Sequence, residues 1–401
     1  MKVIFICHQP LSVQLEKKIW FDFLSAANIE VRYFDITELY HPQIDYSNSI
    51  EREYVVRFSD WTTFEKLISS HSSHENIFIP LLTYSFNVIK PFRILTKYQC
   101  TLAFIAQGNF PMPANKFSIR TLVKLINPFE VFNYFLEEIQ YAIAKYLKIV
   151  GFIKPYDIIF ESGEGNISQI GVGYGIDQNR IDKGESAHIK INYCDYDNYL
   201  KIKYEEVKIV NSDYVVFLDE YFPFHQDFEM LGIKTVNPDR YYNSLDIFFT
   251  KLEKLFNVQV VIAAHPKADY KKNKYFLDRE IYLNKTAELV KDSKFVLAHA
   301  STSSCYAIFF QKPIVFIYTK DFIEFWSGSY LKLIKHSARE YAANIYNVDE
   351  IEDENIIKIL PINQTKYDYL KYRYFTAIAI ETIESKDIVL RFLQNYQKIQ
   401  T

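Results

Sequence analysis

Glycine is scarce in this chain, at 10 residues of 401. So low a content excludes collagen-like and glycine-rich flexible architectures, and it makes any local cluster of glycines informative. Cysteine is scarcer still. Cys7, Cys100, Cys194 and Cys305 lie far apart in the sequence, so neither a disulfide framework nor a metal-ligand spacing is visible, and a reducing cytoplasmic setting is expected. Excess positive charge is missing as well: the formal net charge is −3, which argues against a nucleic-acid partner. Long apolar runs are also lacking. The opening "MKVIFICHQP" is too short in its apolar part for a signal sequence and reads as a first strand. Residues 129–153 are broken by Glu137, Glu138, Gln140 and Lys145, so they do not span a bilayer. They read as a buried helix in preference to an interfacial one, with peripheral contact to the inner face of a membrane left open.

What is present is a packed globular composition, 49% hydrophobic and 24% charged. Apolar strand-like runs alternate with helical patterns throughout. In the first half strands are expected near 2–7, 30–36, 76–82, 101–106, 156–161 and 188–193, with helices near 13–27, 61–70 and 129–152. The second half repeats the pattern from "YVVFLDE" (214–220) through "VQVVIAAH" (258–265), "FVLAHA" (295–300) and "PIVFIY" (313–318), with helices between. Such alternation implies βαβ units and parallel sheets. The expected fold is α/β, with two doubly wound Rossmann-like domains facing a central cleft. Their expected limits are 1–208 and 209–375, with the boundary in the polar stretch 201–212. Helical patterns at 367–383 and 385–399 follow, and segment 376–401 is expected to pack back on the first domain.

The stretch "VVIAAHPKADY" (260–270) places a histidine and a proline directly behind a doubly buried strand. Proline cannot continue the ladder, so His265 falls at the strand's carboxyl edge, where open α/β sheets bind ligands. Further on, "VLAHASTSSCYAIFF" ends a second strand at His299 and opens a helix with Ser301, Thr302, Ser303 and Ser304. Small hydroxyl residues at a helix start either cap it or offer hydroxyls and N–H groups to a phosphate. If the two strands are neighbours, one nucleotide phosphate reaches both.

"AAHPK" followed by "KTAELVKDSKFVLAHASTSSCYAIFFQKPIVFI" resembles the donor domain of bacterial surface-polysaccharide glycosyltransferases of the GT-B fold. The similarity is greatest to the sialyl-, pseudaminyl- and Kdo-type enzymes that use CMP-activated acidic sugars. It covers roughly residues 210–320, and over the first 150 only the alternating pattern is shared. The resemblance implies that His265, with Pro266 and Lys267, meets the CMP phosphate. It implies further that Ser303 and Ser304, or Ser301 and Thr302, hold phosphate or ribose beside His299. No cofactor is implied beyond the CMP-sugar as co-substrate, no metal is expected, and the second partner is a glycan acceptor.

An inverting transfer needs a base for the acceptor hydroxyl. Six of the ten glycines fall within 162–184, after the strand "YDIIFE", and Glu161 and Glu164 stand at the start of that loop. The spacing of "GVGYGI" is not that of a dinucleotide fingerprint. Glu164-Gly165 resembles the acid-glycine pair of the CMP-sialic transferases. "DYD" (195–197) is a competing cluster, with Asp195 and Asp197 as base or acceptor ligands, or Asp197 as a helix N-cap. Asp219, Glu220 and His225 form a third group, read either as site lining or as a hinge. Lys267, Arg279, Lys285 and Arg180 are the cations available to a donor carboxylate. A CDP-glycerol-type polymer transferase, a sugar-nucleotide epimerase and a non-catalytic binding protein are the alternative functions.

Overall fold

The computed structural model describes residues 1–43, 49–107, 128–165, 181–206, 208–225, 235–270, 275–353 and 356–400. The chain divides into two compact units. Of the described residues, one unit holds those up to Cys194 together with Arg373 onward, and the other holds those from Asp195 to Tyr372.

In the first unit seven strands form one parallel sheet: β1 (Lys2–Cys7), β2 (Glu30–Asp35), β3 (Val55–Arg57), β4 (Ile77–Pro80), β5 (Thr101–Ala106), β6 (Ile158–Ser162) and β7 (Ala187–Ile191). Their order is β3-β2-β1-β4-β5-β6-β7. Successive residues of β1 feed opposite cores. Ile4 and Ile6 join Phe34, Phe78 and Phe92 on one face, and Val3, Phe5 and Cys7 join Val31, Ile79 and Phe160 on the other. A sheet covered on both faces needs continuous apolar strands, which is why these read as unbroken hydrophobic runs.

The second unit contains β8 (Tyr214–Leu218), β9 (Gln259–Ala264), β10 (Ile281–Leu283), β11 (Val296–Ala298), β12 (Ile314–Tyr318) and β13 (Ile345–Asn347), again all parallel. Their order is β10-β9-β8-β11-β12-β13. The first strand is thus central, and the order reverses between β8 and β11. Crevices at such reversals are where doubly wound sheets bind ligands.

The terminal helix Ser385–Gln400 belongs to the first unit, as expected. Val389 and Leu393 are buried in its core, and Phe392 meets Phe160 edge-on at 5.5 Å. Burial of two such aliphatic side chains stabilises this return by about 3–5 kcal/mol. At the end of β7, Asn192 secures the approach. Its backbone N–H donates to Ser385 Oγ (2.9 Å), its amide to Ile383 O (2.7 Å), and its Oδ1 accepts from Thr376 (2.7 Å).

Several expectations are corrected. The helix read over 13–27 is two short helices, Val13–Lys18 and Phe21–Ala26, broken at Trp20 in the left-handed region (φ 55°). The pattern over 367–383 is likewise divided. The helix Gln364–Leu370 widens into a π turn at 371–375, where the chain passes from one unit to the other. The passage in the other direction falls at 194/195, so the polar stretch 201–212 lies inside the second unit. The helix Pro128–Ile149 is not buried all round among its described side chains. Ala144 and Lys148 face the core, while Ile139, Tyr146 and Ile149 are exposed. Among the described residues no helix is long and apolar enough to cross a membrane.

Candidate functional site

Three adjacent strands of the second sheet end at one edge, and each carries polar residues there. After β9, His265 and Pro266 form a turn closed by a bond from Ala268 N–H to His265 O (2.9 Å). Pro266 and Lys267 are exposed, and His265 is half-buried. The backbone N–H of Lys267 donates to His265 Nδ1 (3.2 Å), which leaves Nε2 as the imidazole atom farther from that turn. The His225 ring approaches that of His265 at 5.0 Å.

Central β8 ends in Asp219 and Glu220. Asp219 Oδ1 accepts from Tyr221 N–H (3.0 Å) and Oδ2 from the Tyr270 hydroxyl (2.6 Å). Burial pushes its pKa up to about 6, although the hydrogen bonds from Tyr270 and from the backbone N–H groups of Tyr221, His265 and Glu220 oppose the shift. Glu220 is partly exposed as a residue, yet its carboxyl group is enclosed. Oε1 accepts from Ala300 N–H (2.9 Å) and Oε2 from the Tyr330 hydroxyl (2.5 Å). Desolvation raises it to about 7, with the charge of Asp219 adding to the effect.

After β11 comes His299. It is fully buried: Nδ1 donates to Ile317 O (2.6 Å) and Nε2 accepts from the Tyr241 hydroxyl (2.8 Å). Both nitrogens are therefore used inside the fold, and burial lowers the pKa to about 4, so the ring is neutral. The hydroxyl run divides. Ser301 Oγ accepts from Ser303 N–H (3.3 Å), which caps the 3-10 turn Thr302–Ser304, while Thr302 is exposed and Ser303 half-buried. Ser304 is buried, its hydroxyl 3.1 Å from that of Tyr341. The hydroxyls at the surface are thus those of Ser301, Thr302 and Ser303.

The sheet order revises one expectation: β9 and β11 are not neighbours, because β8 runs between them. At two strand spacings, the His265 and Ser301 backbones stand roughly 10 Å apart. A phosphate together with its attached sugar spans that gap more readily than a phosphate alone. Asp219 and Glu220 sit midway and hold the turns on both sides.

The acids predicted elsewhere fare differently. Glu161 is buried in the first unit, where Oε2 accepts from Lys190 Nζ (2.5 Å) and pairs with His188 Nε2 (2.8 Å). Glu164 is exposed. Its N–H and that of Gly165 both donate to Arg373 O (3.1 and 2.9 Å). Gly163 (φ 63°) is obligatory there, because a Cβ would come within 2.5 Å of Arg373 O. Gly171, Gly173, Gly175 and Arg180 lie outside the described residues. The helix Cys194–Ile202 begins before Asp197, which therefore occupies its first turn and is not its N-cap. Asp195 Oδ1 accepts from Tyr306 (3.2 Å), and Oδ2 takes a longer contact from the Cys305 thiol (3.6 Å). Arg279 is committed to Asp246 (2.9 Å) and Glu253 (2.8 Å), and Lys285 to Glu288 (2.8 Å). Of the proposed cations, exposed Lys267 is the one at the His265 turn. Among the described residues no group of three or more His, Cys, Asp or Glu side chains could hold a metal ion.

Two doubly wound units in one chain define the GT-B class of fold, and similarity to solved structures agrees. A variant of the wall teichoic acid polymerase TagF matches over 100% of this chain and 89% of its own, with TM-score 0.50 and 11% identity. The UDP-GlcNAc 2-epimerase of Methanocaldococcus jannaschii matches over 98% of this chain and 100% of its own (TM-score 0.48, 12% identity). The glycotransferase of kitacinnamycin matches over 100% and 95% (TM-score 0.44, 9% identity). At 11% identity and TM-score 0.50 the TagF match speaks for the fold alone, and nothing is argued from the other two. No family model and no curated protein sequence matches the chain.

Proposed function

We propose that this protein is a glycosyltransferase that moves an acidic, nonulosonic-type sugar from a CMP-activated donor to a hydroxyl of a surface glycan. The observation that carries the reading is the shared edge of β9, β8 and β11, which gathers His265, an enclosed acid pair and a hydroxyl run at the reversal of strand order. In this role the His265 imidazole and Lys267 stabilise the departing CMP phosphate, and Pro266 fixes their turn. Ser301, Thr302 and Ser303 offer hydroxyls to phosphate or ribose. Preorganised donors of this kind supply much of the stabilisation that a departing anion needs. His299 and Ser304 act from within, as packing partners of Tyr241 and Tyr341. Glu164 is the base assigned to the acceptor proton, since it is exposed while Glu161 is consumed by Lys190 and His188.

The test is a panel of CMP-, CDP- and UDP-activated donors with mass spectrometry of the products, beside thermal shifts with the free nucleotides. CMP is expected to raise the melting temperature, because a ligand that binds only the folded state adds to its stability. CDP-glycerol belongs on the panel because TagF shares the fold. Consumption of a UDP-sugar without any acceptor would make the protein an epimerase. If no nucleotide is bound and no donor consumed, the enzyme reading is lost.

A further inference from the structure

The acid pair at the end of β8 has an unusual environment. Every one of its four carboxylate oxygens faces a hydrogen-bond donor, and none of those donors is a cation. Asp219 meets Tyr221 N–H and the Tyr270 hydroxyl, and Glu220 meets Ala300 N–H and the Tyr330 hydroxyl. Among the described residues no Lys or Arg side chain pairs with either acid. Two adjacent enclosed carboxylates without a counter-cation cost folding energy, so a structural role alone favours replacing them. Among the described residues they belong to no group of three or more His, Cys, Asp or Glu side chains that could hold a metal ion. What they do is tie down the two turns beside them. Asp219 lies under the His265 turn, whose backbone N–H helps to hold its charge, and Tyr270 binds it from the far end of the same loop. Glu220 takes the N–H of Ala300, the residue just before Ser301.

We propose that Asp219 and Glu220 are positioning residues for the donor site, Asp219 setting the His265 turn and Glu220 the Ala300–Ser301 turn, and that Glu220 carries a proton when the donor phosphate is bound. This rests on the function proposed above. The coupling follows from charge. A donor phosphate is anionic, and it arrives at an edge that already holds two carboxyl groups. The groups facing Glu220 are Asp219, Tyr241, Tyr330 and the Ala300 N–H, none of them cationic. If its proton binds with the phosphate, Glu220 adds no negative charge to the edge, and Lys267 has only the phosphate to offset there. Burial has already brought that proton within reach near neutrality. With the proton on Oε2, the carboxyl donates to the Tyr330 oxygen, while Oε1 still accepts from Ala300 N–H.

The experiment uses the full chain, with Glu220→Gln and Asp219→Asn, and reads donor KM and kcat between pH 6 and pH 8. The phosphodiester of a CMP-sugar keeps one charge across that range. Glu220→Gln leaves His265 and His225 in place, so the difference between wild type and variant isolates Glu220. In the wild type donor KM rises with pH, and Glu220→Gln removes most of that rise. Asp219→Asn turns an amide N–H toward Tyr221 N–H or Tyr270 and raises donor KM roughly tenfold, with a smaller change in kcat. A wild-type pH profile in Glu220→Gln, together with a donor KM within twofold in Asp219→Asn, would overturn the proposal. If the wild type binds no nucleotide, the functional reading fails separately. Amide hydrogen exchange then decides the positioning role. Faster exchange at His265 in Asp219→Ala and at Ala300 in Glu220→Ala supports it, and unchanged exchange at both overturns it.

Discussion

Glu161 and Glu220 are both glutamates at the carboxyl ends of strands whose residues are buried throughout, β6 in the first unit and β8 in the second. The first is neutralised by the Lys190 ammonium and hydrogen-bonded to His188, and its charge is spent inside the unit. The second has only a phenol and an amide, and burial keeps its proton near neutrality. The same contrast extends to Lys148 of the first unit, enclosed by the rings of Tyr156 (3.9 Å), Tyr84 (4.3 Å) and Phe92 (5.8 Å). Around Glu161 and Lys148, then, buried charge is matched by a cation or by ring faces and serves packing. Around Asp219 and Glu220 it is matched by weak donors and stays available to change. A titratable group left without an opposite charge beside a sheet reversal is better evidence of function than a buried charge as such.

The comparison breaks most visibly at His265. If the second unit's edge does the chemistry, His265→Ala lowers transfer by about 10²–10³-fold with the fold intact, judged by product formation beside circular dichroism. Turnover near wild type would remove His265 from the site. Next in size, Glu161→Gln leaves Lys190 and His188 without their carboxylate and destabilises the protein by about 2–3 kcal/mol. That figure lies below the usual loss for a buried pair because Lys190 and His188 both keep some exposure. Nucleotide affinity should be untouched. A variant that folds normally yet fails to bind CMP would move the working site toward the first unit.

Lys148 sharpens the contrast further. Its folded pKa is lowered to about 7 from 10.5, so between those limits the unfolded chain holds more protons. Stability therefore rises with pH through that window, and at and below pH 7 the protein bears the full penalty of burying the charge. Lys148→Met keeps the volume and removes the charge, so it should stabilise by about 1–2 kcal/mol at pH 7 and flatten the dependence above it. Urea midpoints at pH 7 and pH 9 check both statements. A loss of stability at pH 7 would mean that the rings contribute more than desolvation removes.

Much of the fold could be read from the sequence because doubly buried parallel strands are apolar runs that no loop imitates. Strands β3, β10 and β13 could not, since three residues at or near a sheet edge carry too little pattern. The break at Trp20 was hidden for a related reason: a left-handed tryptophan is imposed by packing and has no local signal. At the site, the His-Pro turn after β9 was legible, because proline must end a strand. His299 misled, since the hydroxyl that takes its Nε2 comes from Tyr241 on another element. Asp219 and Glu220 were plain as letters but not in role, which depends on Tyr270 and Tyr330 arriving from far along the chain. Two acids directly after a wholly apolar strand were the available signal.

The smallest effect separates two roles of one hydroxyl. Ser301 Oγ caps the turn that follows β11, through a rather long bond from Ser303 N–H (3.3 Å). Ser301→Ala should therefore cost about 0.5–1 kcal/mol of stability, toward the low end for such a cap. If that were all, the rise in melting temperature produced by saturating CMP would be the same in variant and wild type. A hydroxyl that also meets the donor must lower affinity, and the CMP-induced rise then shrinks in the variant at equal ligand concentration. An identical rise in the two proteins would confine Ser301 to capping and leave Thr302 and Ser303 as the hydroxyls of the proposed donor site.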